Sequence, residues 1–347
     1  MKEKKNVSIV DDIQSKSSSR QSSNNQVTPR NGFLSKDPQI QAQIKALMKT
    51  NIIYTLLALI CDWGIIIKLA TLSWIAFHQY GVTTYTIFAY IIVCFIIASR
   101  QRGLECLIHE ATHMNLTRNI LANDIIGWIF AALPLGHNLI TERQSHIVGH
   151  HKHFWEHGLD LDFQRYQDIG VDQLSAKSLK QLMHILIRSF VPYVNSVIPA
   201  FFIPKNEKLS HFFLRISFWW SIILIFALYN LLTPLIIYWF VPFLTFLTII
   251  RYIGEISEHA SLGCTNPFQS TRNNLGWFNE YFIHPHGDGY HVVHHLYAKI
   301  PFFRLASAHR LLMKDPIYAQ QGHHCNAFIL TDSKMHTTFT SLSKGAN

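Results

Sequence analysis

Four stretches of the chain carry almost nothing but apolar residues, and polar, histidine-rich segments separate them in pairs. Residues 52–77, 82–98, 213–232 and 234–250 each approach the ~20 apolar residues that a helix needs to cross a bilayer. Asp62 and Lys68 interrupt the first stretch. An acid inside a span is expected either to be functional or to face the bundle with its charge satisfied. Weaker apolar stretches at 120–135 and 182–203 carry Asn123 and Asp124, and Arg188, Pro192, Asn195 and Pro199. These read as interfacial or re-entrant segments.

The placement of Lys and Arg orients these spans. The connection between the third and fourth stretches has neither residue, and the first connection has none after Lys68. Lys45, Lys49, Arg100, Arg102, Lys208, Arg215 and Arg251 flank the other ends. The positive-inside bias therefore predicts two hairpins that enter and leave from the cytoplasmic side. The expected fold is an all-α integral membrane protein, with two transmembrane hairpins carrying a cytoplasmic helical, histidine-rich cap. Residues 1–40 are polar, contain SKSSSRQSSNNQ, and lack the apolar run of a secretory leader. Such a segment cannot bury enough apolar area to offset its ordering entropy, and reads as a disordered tail. The expected organisation is this tail, a membrane domain over 41–320, and a C-terminal tail over 321–347.

Composition supports a membrane protein. Of 347 residues, 49% are hydrophobic and 15% charged, against roughly a quarter charged in soluble domains; the mean hydropathy is +0.13. The net charge of +9 follows from the positive-inside bias, and nucleic acid is not an expected partner. Five cysteines form no CxxC pair, which sets aside thiolate metal sites and a disulfide framework. The 21 histidines leave imidazole as the candidate metal ligand.

Three histidine clusters stand between and after the hairpins. HEATH holds His109 and His113; HIVGHHKH holds His146, His150, His151 and His153; HVVHH holds His291, His294 and His295. On an α-helix, spacings of three and four share a face. That rule pairs His109 with His113 and His146 with His150, and groups His291 with His294 and His295. Adjacent His150 and His151 diverge, which suits two metals, or one metal reached from two sides. A fourth element, RYIGEISEH, follows the last span and ends at His259. If the second and fourth helices run on straight, His109 and His259 stand at a common level, roughly 14–16 Å beyond the apolar stretches at 1.5 Å per residue. Glu255, one turn before His259, is a candidate carboxylate near that level, or a partner for Arg251. Asp160 and Asp162 in HGLDLDF are candidate acceptors for ligand histidines. Gly287 and Gly289 mark a tight turn before the third cluster. His109–Glu110–Ala111–Thr112–His113 also matches the HExxH zinc-protease motif, with Glu110 as general base; that reading leaves the other clusters unused.

Together, HEATH, HIVGHH, SEHA and HPHGDGYHVVHHLYAKIPFFRLASAH resemble the membrane fatty-acid desaturase superfamily over residues 50–318, most closely a bacterial branch that includes dihydrorhizobitoxine desaturases. The resemblance implies metal ligands at His109, His113, His146, His150, His151, His259, His291, His294 and His295, with His153 a rival in the second box. It places Glu255 where relatives hold a side chain that contacts metal-bound water. It implies two iron ions, dioxygen, and two electrons from a separate donor of ferredoxin or cytochrome b5 type. The expected function is desaturation of a fatty-acyl or similar aliphatic chain, with hydroxylase or ketolase activity as the alternative on the same site.

Overall fold

The computed structural model describes residues 33–172, 178–202, 207–263, 266–328 and 337–344. Most of the expected N-terminal tail, residues 1–32, lies outside them.

Among the described residues, four helices are long and apolar enough to cross a membrane. With a short amphipathic α1 (Pro38–Leu47) ahead of them, these are α2 (Ile52–Tyr80), α3 (Thr84–Thr112), α8 (Leu209–Leu228) and α9 (Leu232–His259). Local chemistry sets their ends. The Asn51 side chain accepts from the Ile53 amide to start α2, and Gly81, at φ 69°, ends it. Thr83 and Thr86 form a reciprocal capping box at the start of α3, satisfying amides that a helix leaves open. Between the hairpins run α4 (Ile120–Gly127), α5 (Leu139–Arg143), α6 (Leu161–Ile169) and α7 (Leu179–Phe202). After α9 come strand β1 (Arg272–Asn274), α10 (His291–Leu296), α11 (Phe302–Leu312), α12 (Pro316–Gln321), strand β2 (His323–Cys325) and α13 (Thr338–Lys344).

The spans differ in how they are used. Only 6% of the apolar window of α8 is buried, against 39% in α3 and in α9. α8 therefore presents its side chains to lipid, whereas α3 and α9 form the inner pair. Both inner helices continue past their apolar stretches into the polar layer, as the expected common level of His109 and His259 requires. Pro242 has no N–H to donate, and α9 meets it with π-helical turns on either side, Ile236–Phe240 and Phe243–Leu247.

Both ends of the domain extend beyond the expected boundaries. Phe33, Ile40 and Ile44 are buried with Val292, Val293 and Leu305, so residues 33–47 pack beneath the third histidine box. The boundary at residue 40 cuts through this packed segment, because the polar composition upstream hides the few apolar anchors. Of the 321–347 segment, the described residues 321–328 and 337–344 are likewise built in. β2 pairs in parallel with β1, Asn273 opposite His324, and Leu342 joins the core of α6, α7 and α9. The buried Arg272 guanidinium donates to Ser341 at 2.6 Å and Ser261 at 3.0 Å, tying α13 to the end of α9.

Asp62 is a satisfied acid. Its carboxylate pairs with Arg100 at 3.3 Å and with His286 at 2.6 Å. α2 is thereby linked to the turn that leads into the third box. The approach is so close that a Cβ on Gly103 would lie 2.6 Å from Asp62 Oδ2. Gly103→Ala is expected to displace Asp62 and lower stability by about 1–3 kcal/mol. Thermal unfolding in detergent measures this, and an unchanged Tm would contradict it.

Candidate metal centre

The nine histidines that the sequence singled out fall into two groups. His109, His113, His146, His151 and His294 form one, and His150, His259, His291 and His295 form the other. Within each group every residue offers a nitrogen within 4.8 Å of all the others. Elements far apart in the chain supply them: the end of α3, the segment after α5, the last residue of α9, and α10.

The assignment to groups differs from the α-helical expectation in two places. Residues Gln144–His151 are π-helical. The i→i+5 register of a π turn stacks His146 over His151, with Nε2 atoms 3.0 Å apart, and sends His150 to the other group. In α10, His291 and His295 share a face at 3.2 Å. His294 turns away to meet His151 at 3.0 Å. Four residues apart stay on one α-helical face, whereas neighbours diverge by about 100° at 3.6 residues per turn. The second and third boxes thus serve both groups, whereas His109 and His113 of the first serve one.

Hydrogen bonds at the far nitrogens fix the ring orientations. His150 Nδ1 donates to Asp160 at 3.1 Å, and His259 Nδ1 donates to the Ser270 carbonyl at 2.8 Å. Asp288 Oδ1 stands 3.5 Å from His109 Nδ1. With the proton held on Nδ1, the Nε2 lone pair of each ring points inward. Those lone pairs face one another closely: His109 to His146 at 2.8 Å, His150 to His295 at 3.2 Å, and His259 to His291 at 3.1 Å. Among the described residues, buried His113 Nε2 has no hydrogen-bond partner. Burial, then mutual repulsion, pushes the pKa of His113, His146, His151, His291, His294 and His295 well below the usual imidazole range. Neutral imidazoles facing lone pair to lone pair repel, and a cation between them resolves the repulsion. This donor set fits a transition-metal pair and offers no thiolate.

His150 differs from those rings in the direction of its shift. Burial depresses it, but the Asp160 hydrogen bond and charge prevail and leave its pKa raised. Burial lifts the Asp160 carboxyl, yet His150 and the Trp155 and Phe163 amides bring it down to about 2. Asp160 also caps α6 by accepting from the amides of Asp162 and Phe163, so one carboxylate orients both a helix and a ring. Asp162 lies 3.8 Å from His150 and binds Arg165 at 2.7 Å.

Two candidates lie outside the nitrogen groups. His153 pairs with Glu156 at 3.0 Å. Glu255 accepts from Tyr193 at 2.9 Å and pairs with Arg165, while its expected partner Arg251 pairs with Glu105. The α-helical reading was sound for spacing, but α6 and α7 bring stronger partners to Glu255. Sequence reasoning missed Asp288, which binds Arg102 at 2.8 Å besides facing His109. Its signal was present in HPHGDGYH, three residues before His291. The glycines around it were read correctly: a Cβ on Gly289 would lie 2.2 Å from the Asn274 carbonyl oxygen, so only glycine admits β1 there. Glu258 also went unnoticed, 3.5 Å from His291 Nε2.

The fatty acid desaturase family model matches residues 85–328, which contain every one of these histidines. The chain belongs to the fatty acid desaturase family. It is 29% identical over 248 residues, 67% of this chain and 70% of the relative, to dihydrorhizobitoxine desaturase of Bradyrhizobium elkanii. As a desaturase family member the chain is an oxidoreductase.

Asp160→Asn is expected to weaken metal binding by about 10–100-fold, while His153→Ala leaves it at the wild-type value. Titration of metal-free protein with Fe2+ tests both, and equal affinities for Asp160→Asn and wild type would contradict the orienting role.

Proposed function

We propose that the chain is a membrane-bound, O2-dependent desaturase in which each histidine group holds one iron ion. The observation that carries this reading is the convergence of nine imidazoles, six buried and three half-buried, from four separate elements, into two groups of nitrogen donors. The reacting chain belongs to a lipid or a similar aliphatic compound, as the family relationship suggests. When bound, the irons supply the dioxygen activation that an unactivated C–H bond requires and that side-chain acids and bases lack.

The protein's own part is orientation and exclusion. Asp160, Ser270 and Asp288 hold the Nδ1 edges of three rings, so the ligands are aimed before metal arrives. Val292, Val293 and Leu296 of α10 are fully buried beside the histidines and close the site on that side. In a desaturation, two hydrogens leave the substrate and dioxygen is reduced to two waters. The two further electrons come from a separate donor of ferredoxin or cytochrome b5 type, and the two further protons from solvent. The site faces the cytoplasm in this reading, consistent with the flanking Lys and Arg.

The zinc-protease alternative assigns Glu110 a catalytic role that its surroundings do not favour. Glu110 Oε2 accepts the Phe302 amide at 2.8 Å and caps the start of α11, and Glu110 is in neither nitrogen group. Glu110→Gln is therefore expected to keep wild-type iron content and at least about half of the turnover, since only a cap of order 1 kcal/mol is altered. Abolished turnover with intact metal would contradict this assignment. To test the reaction itself, cells lacking the gene are complemented with wild type or His294→Ala, and whole extracts are compared by mass spectrometry. A His294-dependent compound lighter by two hydrogens is expected. Gain of one oxygen would make the enzyme a hydroxylase, and no His294-dependent difference would defeat the proposal.

A further inference from the structure

The helix α10 is six residues long and carries three of the nine histidines. A helix so short does not hold itself, because its few internal hydrogen bonds do not offset the cost of nucleation. Its surroundings must fix it. The residue at its start, Tyr290, supplies no side-chain cap, and every helix leaves its first amides open. The Val292 amide is met from outside the helix. Asn273 of β1, 19 positions earlier, accepts from it through Oδ1 at 3.0 Å.

That one bond orients a buried network. A backbone N–H can only donate, so the amide oxygen of Asn273 faces Val292 and its Nδ2 faces away. Nδ2 donates to Tyr318 Oη at 2.8 Å and to His324 Nδ1 at 3.0 Å. Tyr318 then gives its own hydrogen to His309 Nδ1 at 2.9 Å. His324 accepts at Nδ1, so it carries its proton on Nε2 and donates it to the Tyr318 carbonyl at 2.9 Å. Burial lowers the pKa of both imidazoles, to about 4 for His309, so both are neutral acceptors near neutral pH. Asn273 and Tyr318 are fully buried.

The residues beside Asn273 serve the same centre. The Ser270 carbonyl holds His259 by Nδ1. The Asn274 amide donates to the Gly289 carbonyl at 2.7 Å, in the turn that enters α10. Asn274 Nδ2 donates to the Ser257 carbonyl of α9 at 3.0 Å. The segment 270–274 thus touches both elements that carry His259 and the third box. Within α10 the histidines leave on two faces, His294 toward one nitrogen group and His291 and His295 toward the other. A rotation of this helix misaims both groups at once, and ligands must be held to within about 0.5 Å and 10–20° of their working geometry.

We propose that Asn273 is a positioning residue of the metal centre, which caps α10 from β1 and so fixes the aim of all three histidines in the third box. This rests on the iron reading above and goes beyond it, since Asn273 acts through the backbone of α10 and not as a ligand. It also gives the C-terminal strand β2 a part in the site, through His324.

The test uses the full-length protein in detergent as wild type, Asn273→Ala, Asn273→Asp and Asp160→Asn. In metal-free protein, hydrogen exchange of the amides in 291–296 is followed by mass spectrometry. It is expected to run at least about tenfold faster in Asn273→Ala than in wild type, the scale of a lost cap. Titration with Fe2+, with the two irons resolved by Mössbauer spectroscopy, is expected to show both bound at least about tenfold more weakly in Asn273→Ala. Asp160→Asn is expected to weaken the iron of the His150 group alone. Asn273→Asp keeps an oxygen facing the Val292 amide, its second oxygen accepts from Tyr318, and its iron affinities are expected to stay within about threefold of wild type. If Asn273→Ala does not fold, Asn273→Ser, whose hydroxyl falls short of the Val292 amide, replaces it with the same expected losses. Wild-type iron affinities in the folded alanine or serine variant would overturn the inference. So would a loss confined to one iron, or a loss in Asn273→Asp equal to that in Asn273→Ala. Wild-type protein that binds no Fe2+ would defeat the iron reading, and unchanged exchange at 291–296 in the alanine variant would overturn the cap itself.

Discussion

The arrangement depends on one constraint: nine imidazoles must bring their nitrogens together at separations where the lone pairs of neutral rings repel. Close apposition such as His109 to His146 at 2.8 Å is unfavourable for neutral rings alone and favourable around a cation. The fold provides the restraint. Asp160 and the Ser270 carbonyl hold their rings by Nδ1, and the buried Val292 and Val293 hold α10 between them. Much of the chain thus works to keep ligands aimed, which is the part of metal catalysis that a protein contributes.

Much of this was legible in the sequence. Four apolar stretches gave the spans, since only continuous helices satisfy backbone groups in lipid. Local ligand spacing picked out the histidines of the boxes, and the straight continuation of α3 and α9 picked out His259. What the sequence did not disclose was the division of ligands. His146 pairs with His151 because Gln144–His151 winds as a π-helix, and no spacing rule based on 3.6 residues per turn anticipates that register. Asp288 was hidden in the same way: its role comes from Arg102 and His109, 186 and 179 positions distant in the chain. The ends of the domain were misplaced because few apolar anchors, Phe33 and Ile40 at one end and Leu342 at the other, suffice to pack otherwise polar segments.

Inside and outside, the molecule faces two different solvents. The outer faces of α2 and α8 are apolar, as a bilayer requires, while the space next to the histidines is walled by paired guanidinium and carboxylate groups. Some of those pairs are buried, such as Arg251 with Glu105 and Arg215 with Glu207, and each of these is stable only as long as its partner and hydrogen bonds stay in place. They also place strong fixed charges within reach of the clustered histidines, as Asp288 does for His109. The same network therefore tunes the ligands and shapes what can approach them. Membership of the fatty acid desaturase family sets the chemistry.

The most direct test of the account is metal quantification combined with iron-edge X-ray absorption on protein purified from iron-supplied cells. Two irons per chain, each surrounded mainly by imidazole nitrogen, is the predicted result. A single bound zinc, or active protein with no iron, would contradict it.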